Sequence, residues 1–415
     1  MNRQAFYSCV SALALSLVLG LAFSIFVSGA VYAQDNKGQS IKLGDTDLYP
    51  EFRIEYQSQD NAFLEPDNET DATAIIFSPK LNWVASRRLL YVGIDYEGVY
   101  GQFSEEPLNF DNHELQLSVN AELSGKQRTS GYLLFSKKHE PLGTGQTRGA
   151  AESFDEQIAR SGISAGAAYT YGVKNARGNL TAGLKMDNVS YSNLEAITQG
   201  DDFTRLTPYG IFSLRVSPDT RILGEARLAS LDFDNDGLDR TEYSLLGGAD
   251  FSPTGKSGGK IRVGMKQSDF SAESVGDRTD LVAEIDLFYL PVSYSRFDLI
   301  VERDLDTVSG DANGNDDRQS VTVFTELRWR HDWSRRFFTR AIVSREAIIR
   351  ECPDDDEVTT AAKLELNLKL RRWLEVGASA AQATREAGSC DGNTPPSELL
   401  DYTGFTGGVH IRATL

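Results

Sequence analysis

Cysteine, histidine and long apolar runs are scarce in this 415-residue chain. Three cysteines are too few for a disulfide-stapled scaffold. The four histidines (His113, His139, His331, His410) are scattered, with no His-Glu-x-x-His spacing. No phosphate-cradling glycine loop occurs, and neither an enzyme nor a cofactor is expected. After residue 27 no apolar run approaches the roughly 20 residues of a spanning helix, and mean hydropathy is −0.34, which excludes a polytopic helical membrane protein. Basic residues are also in short supply. Sixty acids against 42 bases leave a net charge of −18, so nucleic acid is not an expected partner.

The first 33 residues read as a secretory signal. Arg3 supplies a basic start, residues 10–27 are uncharged and apolar, and Val31-Tyr32-Ala33 suits a signal peptidase. The competing reading is an uncleaved anchor, since the run is long enough to span. Cys9 precedes most of the apolar run, which argues against a lipoprotein. Residues 34–48 are expected to be a periplasmic tail, and 49–415 the structured part.

Along 363–371 the chain reads Lys-Leu-Glu-Leu-Asn-Leu-Lys-Leu-Arg, apolar at every second position. Strand side chains alternate faces, so this peptide has one apolar side and one wet side. The rhythm recurs from about residue 49 onward in runs of 10 to 14 residues. Globular strands average about 5–6 residues, whereas a tilted bilayer-crossing strand needs about 9–11. A soluble sandwich or propeller would share the alternation but not the length.

Short and long connections alternate as well. Turn-like clusters appear at 86–88, 125–128, 174–177, 217–220, 253–256, 290–292, 332–335 and 371–372. Longer acidic stretches fall between them, among them 59–71, 140–155, 304–317 and 351–357. Short periplasmic turns and longer extracellular loops are the layout of an outer-membrane barrel. The spacing predicts an all-β, transmembrane antiparallel up-and-down β-barrel of about 18 strands (alternative 16), with both termini periplasmic. Trp83, Trp329, Trp333 and Trp373 lie at or beside turns, where an interfacial girdle belongs.

Such a barrel is too wide for side chains to fill. Its water-filled lumen is expected to be lined by Glu55, Asp95, Glu97, Glu114 and Glu122 on early strands. Late strands contribute Arg328, Arg330, Arg340, Lys363, Lys369, Arg371 and Arg412. Opposed acidic and basic walls would create a transverse field; local ion pairs are the alternative. The glycine-containing connection after His139 is expected to fold partly inward as a constriction, with His139, Glu140, Arg148 and Glu152 as its polar residues; a surface-exposed loop is the alternative. Cys352 and Cys390 fall in neighbouring outer loops and are expected to pair on an oxidising export route. Asp232, Asp234 and Asp236, followed by Gly237, resemble the start of a calcium loop. Position twelve would be Tyr243 and no exiting helix fits, so a hairpin loop is expected and no metal is assigned.

Phe52-Arg-Ile-Glu55-Tyr56-Gln-Ser-Gln-Asp60-Asn61-Ala-Phe63, with Ile76-Phe-Ser-Pro79-Lys-Leu81, resembles the opening of the β-barrel porin-2 family. Lys138-His139-Glu140-Pro141-Leu142-Gly143 is similar to that family's His-Glu-Pro segment entering a long loop, while Gln59 stands where the family would have Asp. The resemblance implies an outer-membrane channel for exopolysaccharide or capsule export. A general or solute-selective diffusion porin is the alternative, and a structural or surface anchor ranks third. Implied partners are outer-membrane lipid and lipopolysaccharide, the barrel-assembly machinery and a periplasmic polysaccharide-export component.

Overall fold

The computed structural model describes residues 40–67, 69–252, 254–272, 276–308, 318–349, 356–388 and 401–414. The expected signal segment and the Cys352–Cys390 pair lie outside the described residues. Strands β1 (Ile41–Leu43), β2 (Thr46–Gln59), β3 (Ala72–Arg87), β4 (Leu90–Phe103), β5 (Phe110–Ser124) and β6 (Gln127–Glu140) open the chain. There follow β7 (Ile158–Tyr171), β8 (Gly178–Tyr191), β9 (Phe203–Ser217), β10 (Thr220–Phe233), β11 (Arg240–Phe251) and β12 (Ser257–Phe270). The remainder is β13 (Arg278–Val292), β14 (Ser295–Val308), β15 (Arg318–Asp332), β16 (Phe337–Ile349), β17 (Glu357–Lys369), β18 (Leu374–Ala387) and β19 (Tyr402–Thr414).

Each strand from β2 to β19 pairs antiparallel with its sequence neighbours, and β19 pairs with β2 from Thr406↔Gln59 to Thr414↔Glu51. The result is a closed 18-stranded up-and-down barrel. Closure leaves no unpaired sheet edge around the wall, the condition for a sheet to cross hydrocarbon. Among the described residues no helix is long and apolar enough to cross a membrane.

The barrel begins earlier than the sequence suggests. Residues 34–48 are not all tail: Gly44, at φ +63°, makes a tight turn that lets β1 pair with Thr46, Asp47 and Leu48. Similarly, 290–292 is not a turn. Pro291 lies in β13, where pairing with β14 skips from Tyr289 to Val292 because proline has no N–H to donate, and Ser293-Tyr294 makes the turn.

Eight short turns and the ends of β2 and β19 occupy one rim, and nine longer loops occupy the other. The alternation has the expected consequence. Leu364, Leu366 and Leu368 are exposed on the outer face, while Lys363, Glu365 and Asn367 between them are buried toward the interior. All four tryptophans sit toward the turn rim, and three of their indole N–H groups donate to hydroxyls: Trp83 to Thr46, Trp329 to Ser295 and Trp333 to Thr339, at 2.9–3.1 Å. Such a side chain suits an interface that is apolar on one side and wet on the other.

Candidate functional site: the barrel interior and its inturned loop

Inward positions of the strands carry the polar lining. Glu55 is buried and bonds Arg53 at 2.8 Å. Glu97 pairs with Lys80 and Glu114 with Lys138, each at 2.8 Å, and Asp95 accepts a hydrogen bond from Asn82. Nearer the turn rim, Glu122 pairs with Lys174 at 2.7 Å. On the late strands Arg328 pairs with Glu326, Lys363 with Glu365 and Arg412 with Glu375. Arg340 lies 3.9 Å from Glu365. Arg330, Arg340 and Lys369 surround the ring of Phe338 at 4.7–5.3 Å, a buried aromatic face held by three cations.

Opposed acidic and basic walls are therefore not what the barrel contains. Lys80 and Lys138 sit among the early acids, and Glu326, Glu365 and Glu375 among the late bases. Charges taken out of bulk water are paired with their nearest opposites, so local ion pairs win over a transverse field. Arg371 is also misplaced by the sequence reading. β17 ends at Lys369, and the Leu370 and Arg371 N–H groups both donate to the Leu374 carbonyl, which turns Arg371 out to solvent.

The connection between β6 and β7, residues 141–157, packs against the neighbouring loops and reaches the loop-side ends of β17 and β18. Leu142 and Ala151 are fully buried, packed with Ala62, Ala72 and Leu108 and against Phe63, Phe103 and Phe154. Three glycines make the path: Gly143, Gly145 and Gly149 all take positive φ, and a Cβ on Gly143 would sit 2.1 Å from the Phe63 carbonyl oxygen. Arg148 is buried and forms an ion pair with Glu357 of β17, seven strands from β6 around the ring. Arg385 of β18 donates to the Gly143 carbonyl at 3.0 Å and lies 4.0 Å from Glu357. A loop rooted on one wall is thus tied to another.

Of the loop's expected polar residues, Glu140 faces inward, 3.5 Å from Arg160, and Arg148 bridges to the far wall. Glu152 is exposed beside the adjoining loop. There burial and then the Glu152 carboxylate raise Glu65 above the usual carboxylate range. His139 does not belong to the constriction. Strand alternation puts it on the outer face, where Asp111, His113 and Lys137 gather beside it: Lys137 is 2.8 Å from Asp111, and the two imidazoles are 3.5 and 3.6 Å away.

Antiparallel register brings that cluster together, and sequence distance hides it. The sequence reading also missed Glu357 and Arg385, the loop's anchors. Lying next to unremarkable loop acids, they carry no local signal. Among the described residues no group of three His, Cys, Asp or Glu is placed to hold a metal. Asp232 stands on β10, and in the connection that follows the Asp234 N–H bonds the Asp202 carbonyl.

No family model matches the chain, and no curated protein does. Solved structures give only weak matches. OccK11 (OpdR) of Pseudomonas aeruginosa is 13% identical with TM-score 0.46, over 92% of this chain and 98% of that one. OccAB3 of Acinetobacter baumannii is 11% identical with TM-score 0.45, over 90% and 100%. A bacterial polysaccharide outer membrane secretin is 8% identical with TM-score 0.37, over 88% and 98%. At these values nothing about function passes from those proteins to this chain.

Proposed function

We propose that this chain is an outer-membrane channel through which small polar solutes diffuse, its water-filled lumen narrowed by the loop at 141–157. The observation that carries this reading is the tie between Arg148 and Glu357, which joins that loop to the loop-side end of a strand seven places away around the ring. An apolar outer band suits a bilayer, and an interior of ion pairs suits water and polar solutes. Polymer export rests on the short segments that resemble the porin-2 family and has no observation of its own in the barrel. The inturned loop favours small solutes over a polymer. Catalysis is not part of this reading, since His410 faces inward and is bonded to Asn367 at 3.1 Å.

Planar-bilayer recording tests it. The purified protein is expected to give discrete conductance steps, and liposomes containing it to swell with monosaccharides and amino acids but not with long oligosaccharides. Absence of steps from correctly folded protein would overturn the channel. Equal swelling with long oligosaccharides would overturn the small-solute reading.

A further inference from the structure

The two rims carry opposite charge. Residues joining strands on the turn side include nine Arg or Lys and two acids, Asp45 and Asp219, whereas those joining strands on the loop side include 28 acids and two bases. The net charge of −18 conceals this axial polarity.

The basic residues are neither buried nor gathered in one patch. Six of the eight turns carry at least one, spaced around the ring, among them Arg88, Lys126 and Lys256, all exposed. The pairs Arg335–Arg336 and Arg371–Arg372 adjoin Trp333 and Trp373, both exposed. They also stand where the apolar band stops. Outward apolar residues run down to the turns on this side, as at Leu90, Leu123 and Val216, whereas on the loop side Ile163, Met186 and Leu206 end the band a few residues short of the loops. The turn rim is therefore flush with the hydrocarbon edge, and its cations stand at headgroup height.

We propose that this rim is a binding collar for anionic phospholipid headgroups of the leaflet on the turn side. A single protein partner would call for cations on one sector. A ring of exposed cations beside interfacial tryptophans fits a surface that surrounds the barrel. Bidentate guanidinium–phosphate contacts suit the paired arginines. The proposal rests on the membrane reading above. Bilayer conductance, which does not depend on the collar, distinguishes failure of one from failure of the other.

The test is lipid retention by the full-length protein in detergent micelles containing equal amounts of phosphatidylglycerol and phosphatidylcholine, read by native mass spectrometry. Wild type is expected to keep phosphatidylglycerol in preference, roughly fivefold for each cation at headgroup height. The preference should collapse in about 1 M salt, where the screening length falls to about 3 Å. R335Q/R336Q/R371Q/R372Q should lose most of it and the corresponding Arg→Lys variant should keep part, each with unchanged heat-modifiable gel mobility as the folding check. Should the glutamine variant fail that check, K126Q/K256Q reads the same loss on other turns. Equal retention of the two lipids by wild type, or a preference that survives these substitutions or high salt, would overturn the collar. So would lipid A displacing phosphatidylglycerol from the wild-type protein but not from the glutamine variant, which would assign these turns to lipopolysaccharide phosphates instead.

Discussion

Arg148, in the connection after β6, forms an ion pair with Glu357 at the start of β17, and both side chains are buried. Removing one partner leaves the other charged and poorly solvated, which is the costly way to break such a pair. R148A should therefore free the loop tip and raise single-channel conductance, with frequent switching between levels. The charge swap R148E/E357R should move conductance back toward wild type. If R148A conducts as wild type does, the pair does not hold the loop.

Gly143 gives a second handle on the same loop. Its φ of +78° and its approach to the Phe63 carbonyl leave no room for a methyl group. G143A is expected to cost about 1–3 kcal/mol in local packing. The SDS heat-modifiability transition should move to lower temperature, whereas G125A, in an open turn where a Cβ meets nothing within 4 Å, should leave it in place.

The adjoining loop supplies a pH dependence. Burial and the Glu152 carboxylate raise Glu65 above its ordinary 4.5. A carboxyl whose folded pKa is raised favours the packed state when protonated, so its contribution is fully present below the unfolded pKa and is lost as pH rises through the folded one. Packing of 60–71 against 141–157 should thus tighten on acidification through a pKa raised above 4.5. Protease resistance of these loops, followed from neutral to mildly acid pH, should rise in wild type and stay flat in E65Q.

Strand number, layout and facing were legible in the sequence because a membrane barrel must alternate at every strand and close every edge. Each of the 18 strands repeats the same constraint, so a misjudged turn such as 290–292 does not change the count. The interior was legible only in part. Alternation assigns Glu55 or Arg412 to the inside, but pairing depends on which strands are neighbours, so Lys80 opposite Glu97 defeats the idea of separate walls. Arg371 fails because alternation ends where the backbone turns. The loop's glycines are visible in the sequence; its anchors Glu357 and Arg385 are not, since a contact between distant strands leaves no trace in local spacing.

Facing itself can be tested on one dipeptide. Leu245 is 69% exposed on the outer face of β11, and its neighbour Leu246 is 2% exposed on the inner face. An arginine in place of a lipid-facing residue costs about 2–4 kcal/mol at the midplane and falls toward zero near the interfaces. L245R should accordingly lower folding stability in lipid vesicles, measured by urea titration, by an amount that depends on bilayer thickness. L246R exchanges a packed apolar side chain for a charge inside the barrel. Its cost should come from lost packing, should not vary with the lipid, and should appear in the channel as altered ion selectivity. Lipid-dependent destabilisation by L246R but not by L245R would mean that the faces of β11 are reversed.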